Sequence, residues 1–396
     1  MNRRSFLAAT AGSAVVGAAG LRVQAGEDYR GRARDELPTP ALLVDLDRLE
    51  SNLRVMADHC RRAGCGFRPH AKTHKCPEIA RRQVAAGALG VCVATVPEAE
   101  ALVAAGIRGV LLTSPVVDRG KCARLAALAR HGEVLAAVGA PRQVELLDEA
   151  ARDAGVTLDV LVDLDVGDRR TGTLPGEPAL ELGRLVARSR HLHLRGLQAY
   201  AGLASHVVGF ERRREVSRQA LQHALDTRDL FARHRLEVAI LSGGSTGTYN
   251  IDSAGGVTEL QVGSYVFMDV DYRRIGGQRG AVYDDFAPSL TVLTTVVSAT
   301  HPDRVTVDAG TKALDTTVSS RAESRDVPGL SYRPAGDEFG TLTAAAGARL
   351  PQLGERLEFL VPHCDPTTNL HDRFYAMRRG RVEAVWPIVA RREGVR

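Results

Sequence analysis

The chain has 396 residues, of which 44% are hydrophobic and 25% charged, with a formal net charge of +5; this is the profile of a globular protein long enough for one large domain and a smaller one. It excludes a disordered tail, a collagen-like chain and a multi-span membrane protein. Six cysteines are too few for a disulfide scaffold, and arginines scattered without aromatic interleaving argue against a nucleic-acid partner.

Met1–Ala25 reads as a targeting segment. Arg3 and Arg4 precede Ser5-Phe6-Leu7, the small apolar stretch Ala8–Leu21 follows, and Val23-Gln24-Ala25 supplies an A-x-A-like cleavage site. Paired arginines in that place predict twin-arginine export to a bacterial periplasm, with a mature chain starting near Gly26. The apolar stretch is too short and too rich in Gly and Ala for a permanent membrane anchor.

From Pro38 to about Tyr249, short apolar runs alternate with helical periodicity. Strands are predicted at Ala41–Asp45, Gly66–Pro69, Gly90–Ala94, Gly109–Thr113, Leu135–Val138, Leu158–Asp165, Leu194–Tyr200 and Val238–Ser242. Helices are predicted between them at Leu49–Ala63, Cys76–Ala86, Val96–Ala105, Arg119–His131, Gln143–Ala154, Glu177–Arg190 and Glu211–His234. Eight strands alternating with helices predict an α/β fold closed into a (β/α)8 barrel of the TIM type. No G-x-G-x-x-G follows the first strand, which weighs against an open dinucleotide-binding sheet. Beyond Ala287 helical periodicity fades, and Thr291–Ser298, Arg304–Asp308, Glu338–Thr343, Arg356–Pro362 and Val382–Val385 read as strands. The expected organisation is a leader at 1–25, a barrel over 36–285 and a mostly β domain over 286–390.

The most informative segment is Phe67-Arg68-Pro69-His70-Ala71-Lys72-Thr73-His74-Lys75. Read as a strand, it puts Arg68, His70 and Lys72 on one face, opposite Phe67, Pro69 and Ala71. The basic face then points into the barrel, where it needs an anionic partner such as a phosphate ester. A lysine held there can form a Schiff base; a solvated cationic loop is the competing reading. Further on, Ser242-Gly243-Gly244-Ser245-Thr246-Gly247-Thr248-Tyr249 follows a late strand. Its glycines allow successive N–H groups to face an anion, and the loops after a barrel's last strands are the usual phosphate cup. Tyr200 closes the preceding strand, at a position where a buried tyrosine is more often core than a ligand contact. Near the C-terminus His363 and Asp365 stand two apart, a spacing that lets an imidazole and a carboxylate share one face of a strand and one divalent ion.

These motifs carry a resemblance. The stretches PALLVDLDRLESNLRVM, RPHAKTHK and VATVPEAEAL resemble the N-terminal half of the alanine-racemase-like pyridoxal-phosphate enzymes of fold type III. Within them the chain is similar to the D-threonine aldolase and eukaryotic-type D-serine dehydratase group, from about Leu37 to Trp386. The resemblance implies that Lys72 carries pyridoxal 5'-phosphate, that Arg170 in Asp163–Gly172 contacts its phenolic oxygen, and that His70, Tyr200, Gly243, Gly244, Ser245 and Thr246 line its site. It implies a divalent metal (Mn, Mg, Ca or Zn) on His363 and Asp365, His206 as base for the substrate hydroxyl, a small D-amino acid as substrate, and a homodimer. Asp308–Ala313 also matches the family's β domain.

Two features separate the possible reactions. Dehydratase relatives generally have cysteine where Asp365 stands, so Asp365 favours an aldolase giving glycine and an aldehyde over a dehydratase giving a keto acid and ammonia. Phe339 occupies a position where the family usually has histidine. A racemase would need a second acid/base on the opposite cofactor face, and a cofactor-binding protein without turnover would not need the metal pair. Cys60 and Cys65 stand close enough in sequence to permit a bridge without requiring one.

Overall fold

The computed structural model describes residues 28–391, so the targeting segment lies outside the described residues. Asp45 begins the first long helix, Leu46–Ala63, by accepting the Arg48 N–H at 3.1 Å. Leu46, Leu49, Leu53, Met56 and Cys60 recur at three- to four-residue spacing and are its buried face. Gly64, at φ 68°, turns the chain out of the helix in a conformation that glycine adopts without strain.

Eight parallel strands follow: β1 Gly66–Phe67, β2 Val91–Val93, β3 Val110–Leu112, β4 Val134–Val138, β5 Leu158–Asp163, β6 Leu192–Ala199, β7 Ile240–Gly243 and β8 Glu259–Leu260. Each of β2 to β7 pairs with its neighbour in sequence, and β8 joins β7 to β1. The Leu89 N–H donates to the Phe67 carbonyl at 3.0 Å and the Cys92 N–H to the Pro69 carbonyl at 2.9 Å, so β1 meets β2 and the barrel closes. Cys92, Leu111, Leu135 and Leu161 form a small apolar plug. The flanking valines of the short strands pack outward into the large core shared with the helices.

Two strand assignments need correction. Ala41–Asp45 is not a barrel strand. It lies antiparallel to Leu290–His301 and parallel to Arg373–Arg378, in the centre of a second, mostly antiparallel sheet. The barrel's eighth strand is instead Glu259–Leu260, too short and too polar to show periodicity. The second sheet also holds Arg304–Val307, Glu323–Ser324, Leu330–Pro334, Gly340–Ala344, Arg356–Leu360 and Arg381–Pro387. A strand from before the barrel therefore locks the β-rich sheet onto it, and residues of both contribute to one apolar core. No described helix is long and apolar enough to cross a membrane.

Candidate active site

The Phe67–Lys75 segment does not continue as a strand. β1 ends at Phe67, and Ala71–Thr73 form a single 3-10 turn. His70 causes the change: its N–H still donates to the Val262 carbonyl at 2.8 Å, while its Nδ1 accepts the Lys72 N–H at 3.4 Å and caps the turn. Arg68 therefore separates from Lys72. It points into the barrel and forms a buried two-pronged ion pair with Glu259, 3.0 Å on each side. Its anion is a carboxylate of this chain and not a ligand. His70 Nε2 lies 3.1 Å from the Thr113 hydroxyl. Burial and the charge of Lys72 hold the His70 imidazole well below its ordinary pKa, so it is neutral.

Lys72 itself faces a cavity of about 270 Å³ at the C-terminal mouth of the barrel, lined also by His70, Asp163, Arg170, Gln198, Tyr200 and Gln261. The Arg170 guanidinium sits 5.4 Å over the Tyr200 ring, so these two predicted residues form one wall. Tyr200 lies just past the end of β6, and its hydroxyl is 3.2 Å from that of Ser205. The floor is a buried polar relay. Gln198 Nε2 donates to Asp163 at 2.8 Å, Gln261 Nε2 donates to Gln198 at 3.1 Å and to Ser242 at 2.9 Å, and Ser242 donates to Glu259 at 2.8 Å. Asp163 Oδ2 is buried without a hydrogen-bond partner among the described residues, and burial raises that carboxyl to about 6. Such an orphaned atom behind a cavity wall suits a polar ligand.

The loop Gly243–Thr248 stands at the same end of the barrel, where the Gly243 carbonyl accepts the Gln261 N–H at 2.7 Å. Its hydroxyls are occupied: Thr246 Oγ1 accepts the Tyr265 N–H at 3.0 Å and Thr248 Oγ1 the Ser245 N–H at 3.0 Å. The N–H groups of Gly244, Thr246 and Gly247 hydrogen-bond to nothing among the described residues. Three free donors on a buried loop fit a phosphate. A Cβ on Gly247 would lie 2.1 Å from the Ser205 carbonyl, which explains glycine there. The loop does not itself line the 270 Å³ cavity.

His363 and Asp365 are not on a strand. His363 caps the short helix Cys364–Asn369, with Asp365 in its first turn. Pro366 favours that helix, because the N–H it lacks would be unbonded in a first turn anyway. Asp269, fully buried, organises the region. It accepts the His363 Nδ1–H at 2.9 Å, the Cys364 N–H at 3.0 Å and the Tyr272 N–H at 2.8 Å. Burial pulls the His363 imidazole down, but the hydrogen bond and charge of Asp269 outweigh it and raise the group to about 9. Asp365 reaches Lys72, Oδ2 to Nζ at 3.5 Å, while its Oδ1 is buried without a partner among the described residues. Burial opposes the Asp365 charge, yet Lys72 and His363 overcome it and lower the carboxyl to about 2. The same attraction raises Lys72 against its own burial.

His206 joins this group. Its Nε2 faces Asp271 Oδ2 at 3.4 Å, its ring stacks on Tyr272 at 4.2 Å, and the His363 ring centre is 6.1 Å away. Burial lowers its pKa and leaves it neutral. Among the described residues no three His, Cys, Asp or Glu side chains converge as a metal cage. His363 and Asp365 are instead an open pair: His363 is held by its Nδ1 with Nε2 left over, beside a carboxylate oxygen without a partner among the described residues. That arrangement fits a divalent ion completed by water or substrate. A second space of about 530 Å³, bordered by Lys72, Asp365, Lys75, Val96, Pro97 and Val116, adjoins this pair. Phe339 lies exposed on the surface of the chain and lines neither cavity.

Several working residues were not singled out from sequence. Asp269 and Asp271 form a D-x-D with the same two-residue spacing as His363 and Asp365, the one signal that pointed to them. Arg213 left none: it reads as one of many arginines on a helix, yet it is fully buried.

A family profile described as alanine racemase, N-terminal domain, matches residues 44–271, and a serine dehydratase domain matches 289–377. A D-threonine aldolase of Arthrobacter sp. is 41% identical over 354 residues, 89% of this chain and 92% of that protein. The solved structure of a D-threonine aldolase from Filomicrobium marinum superposes with a TM-score of 0.88 at 40% identity, covering 92% of this chain and 98% of the other. A D-threo-3-hydroxyaspartate dehydratase of Delftia sp. (strain HT23) is 29% identical over 357 residues, 84% of this chain and 92% of its own. With its barrel, its β-rich sheet and its lysine at the barrel mouth, this chain belongs to the alanine-racemase-like, pyridoxal-phosphate-dependent family of D-threonine aldolases and D-serine dehydratases.

Proposed function

We propose that this protein is a pyridoxal-phosphate- and divalent-metal-dependent aldolase that cleaves D-β-hydroxy-α-amino acids to glycine and an aldehyde. The observation that carries the reading is the junction of the two sites: Lys72 Nζ in the barrel lies 3.5 Å from Asp365 Oδ2 in the β-rich part. The lysine proposed to hold the cofactor and the residues proposed to hold the ion thus meet at one point.

The residues present fit both groups. Lys72 would hold the cofactor covalently at Nζ, the free N–H groups of Gly244, Thr246 and Gly247 its phosphate, and Arg170 with Tyr200 its ring edge. When bound, pyridoxal phosphate supplies an electron sink for the bond cleaved at Cα. His363 Nε2 and Asp365 would hold the ion, which polarises the β-hydroxyl oxygen. His206 is neutral and oriented by Asp271, so it can accept the β-hydroxyl proton at its free ring nitrogen. Asp163 and Gln198 fix the floor beneath the ring. The 530 Å³ space beside Asp365 gives room for the departing aldehyde.

A product assay tests this. Purified protein with pyridoxal phosphate and manganese is offered D-threonine and D-serine, with a chelator control. Glycine plus acetaldehyde, lost with chelator, supports the aldolase. Keto acid plus ammonia would transfer the site to the dehydratase reading, which the match over residues 289–377 keeps in view. The proposal extends to an exported homodimer, supported by the order of features in Met1–Ala25 and by the family resemblance. Cell fractionation and light scattering decide those two points.

A further inference from the structure

We propose that Cys60 and Cys65 form a redox-reactive pair that closes to an intrachain disulfide, making the end of the first long helix a modification site. The geometry comes from how the helix stops. The Gly64 N–H donates to the Arg61 carbonyl at 3.4 Å and the Cys65 N–H to the Cys60 carbonyl at 3.2 Å, with Gly64 left-handed between them. This pair of bonds is the Schellman end, in which the residue two beyond the last helical position folds back onto the one a turn earlier. Those two places normally share an apolar contact, and here both are cysteines.

Burial distinguishes this pair. Cys60 is buried in the core, and Cys65 packs partly exposed against the same core. The other four cysteines, Cys76, Cys92, Cys122 and Cys364, are all buried. Cys65 is therefore the one thiol that a reagent in solution can reach first. Interaction with the Cys60 thiol lowers the Cys65 thiol, which favours it as the attacking group, while Cys60 Sγ itself donates to Met56 Sδ at 3.9 Å.

Closure proceeds by exchange with a low-mass disulfide such as glutathione disulfide. The Cys65 thiolate attacks one sulfur of that disulfide, the S–S bond breaks, and a thiolate leaves. The Cys60 thiolate then attacks the Cys65 sulfur of the mixed disulfide and expels the second thiolate. The pair loses two protons and two electrons, and the oxidant gains them as two thiols. The bridge would tie the helix end to Gly66, where β1 begins, six residues before Lys72. It acts in addition to the proposed reaction and does not depend on it.

The test uses the holoenzyme. It is incubated with glutathione disulfide, then denatured in the presence of an alkylating reagent and mapped by mass spectrometry. The expected result is that two of the six cysteines escape alkylation, that one cross-linked segment joins Cys60 to Cys65, that reductant restores all six, and that Tm rises by a few degrees on oxidation. Cys60→Ala should stop at a stable glutathione adduct on Cys65. Cys65→Ser, at the partly exposed position, should abolish reaction with the oxidant. Six alkylatable cysteines after oxidation, a persistent glutathione adduct in the unmodified sequence, or a cross-link between other cysteines would each overturn the proposal.

Discussion

Lys72 Nζ stands 3.5 Å from Asp365 Oδ2, although the two residues are 293 positions apart, one in the turn after the first barrel strand and the other in the short helix Cys364–Asn369. The contact explains why each group is charged at the partly desolvated cavity wall: the Asp365 carboxyl is lowered to about 2, and Lys72 is raised. The barrel alone therefore does not complete the site.

Lys72→Ala should abolish the visible absorbance of held cofactor and lower activity by at least about 10³-fold, the scale of losing a covalent catalytic group. The fold should persist, because the Lys72 side chain is 40% exposed. Lys75→Ala is the control. Lys75 is buried, pairs with Glu98 at 3.7 Å and turns its Nζ to the Lys72 carbonyl at 2.8 Å. That variant should keep the absorbance and lose stability instead. Absorbance spectra with a thermal melt separate the two.

The metal pair makes a second prediction. A chelator should remove activity and leave the cofactor absorbance in place, and manganese should restore activity. Asp269→Asn should weaken metal activation by about 10- to 100-fold, the usual effect of losing the group that orients a histidine ligand. The reason is that Asp269 holds His363 Nδ1 and the Cys364 N–H at once. A manganese titration of activity reads this directly. Unchanged activation in Asp269→Asn would mean that His363 does not serve the ion.

Much of this site was legible in sequence, for physical reasons. The helices from Leu46 to Arg233 announced themselves through apolar spacing, and their ends fall within a few residues of expectation. Lys72, Tyr200 and the Gly243 loop stood out as residue types near strand ends, which is where a parallel barrel places its chemistry, whereas Arg170 and His206 entered only through the family resemblance. What failed was local geometry. His70 caps a turn with its own side chain, so the alternation through Arg68 and Lys72 breaks at a point no periodicity marks. Pro366 turns the H-C-D stretch into a helix start. The pairing of Arg68 with Glu259, and of Ala41–Asp45 with Leu290–His301, spans about 190 and 250 residues; contacts of that range leave no local pattern to read.

Arg213 carries the third prediction. Its guanidinium is fully buried and donates to four carbonyls: Gly247 at 2.7 Å, Val207 at 2.8 Å, Ile275 at 3.0 Å and Gly276 at 2.7 Å. It thus ties the Gly243–Thr248 loop to the chain just after His206 and to the end of the helix Val270–Arg273 that carries Asp271. Arg213→Lys replaces a fixed planar fork with a point charge and leaves at least one buried carbonyl unbonded, at a cost of about 1 to 3 kcal/mol each. Stability should fall by that amount in urea unfolding. Cofactor affinity should fall as well, because Gly247 is held from behind. A variant with lowered stability and unchanged cofactor affinity would show that the tie is structural only.

His74 gives the fourth, through pH. It is fully buried; Nδ1 accepts the Cys76 N–H at 3.0 Å, and Nε2 therefore donates to Gln83 Oε1 at 3.2 Å. Gln83 passes the chain on to the Tyr265 hydroxyl at 3.3 Å. Burial lowers His74 from its ordinary 6.5 to about 4. Between those values the unfolded chain binds a proton that the folded chain refuses. Stability contributed by neutral His74 is thus complete above 6.5 and declines as pH falls to about 4. The whole window is worth about 3 kcal/mol, at about 1.4 kcal/mol per pH unit. Asp252 runs the other way: burial raises it to about 6, so it stabilises the folded chain as pH falls through that value. The two are separated by variant. His74→Asn keeps an acceptor for the Cys76 N–H and cannot take up a proton, so urea unfolding of this variant at pH 7 and pH 5 should show a smaller acid loss than the unmodified sequence. An equal loss in both would assign the acid sensitivity to another group.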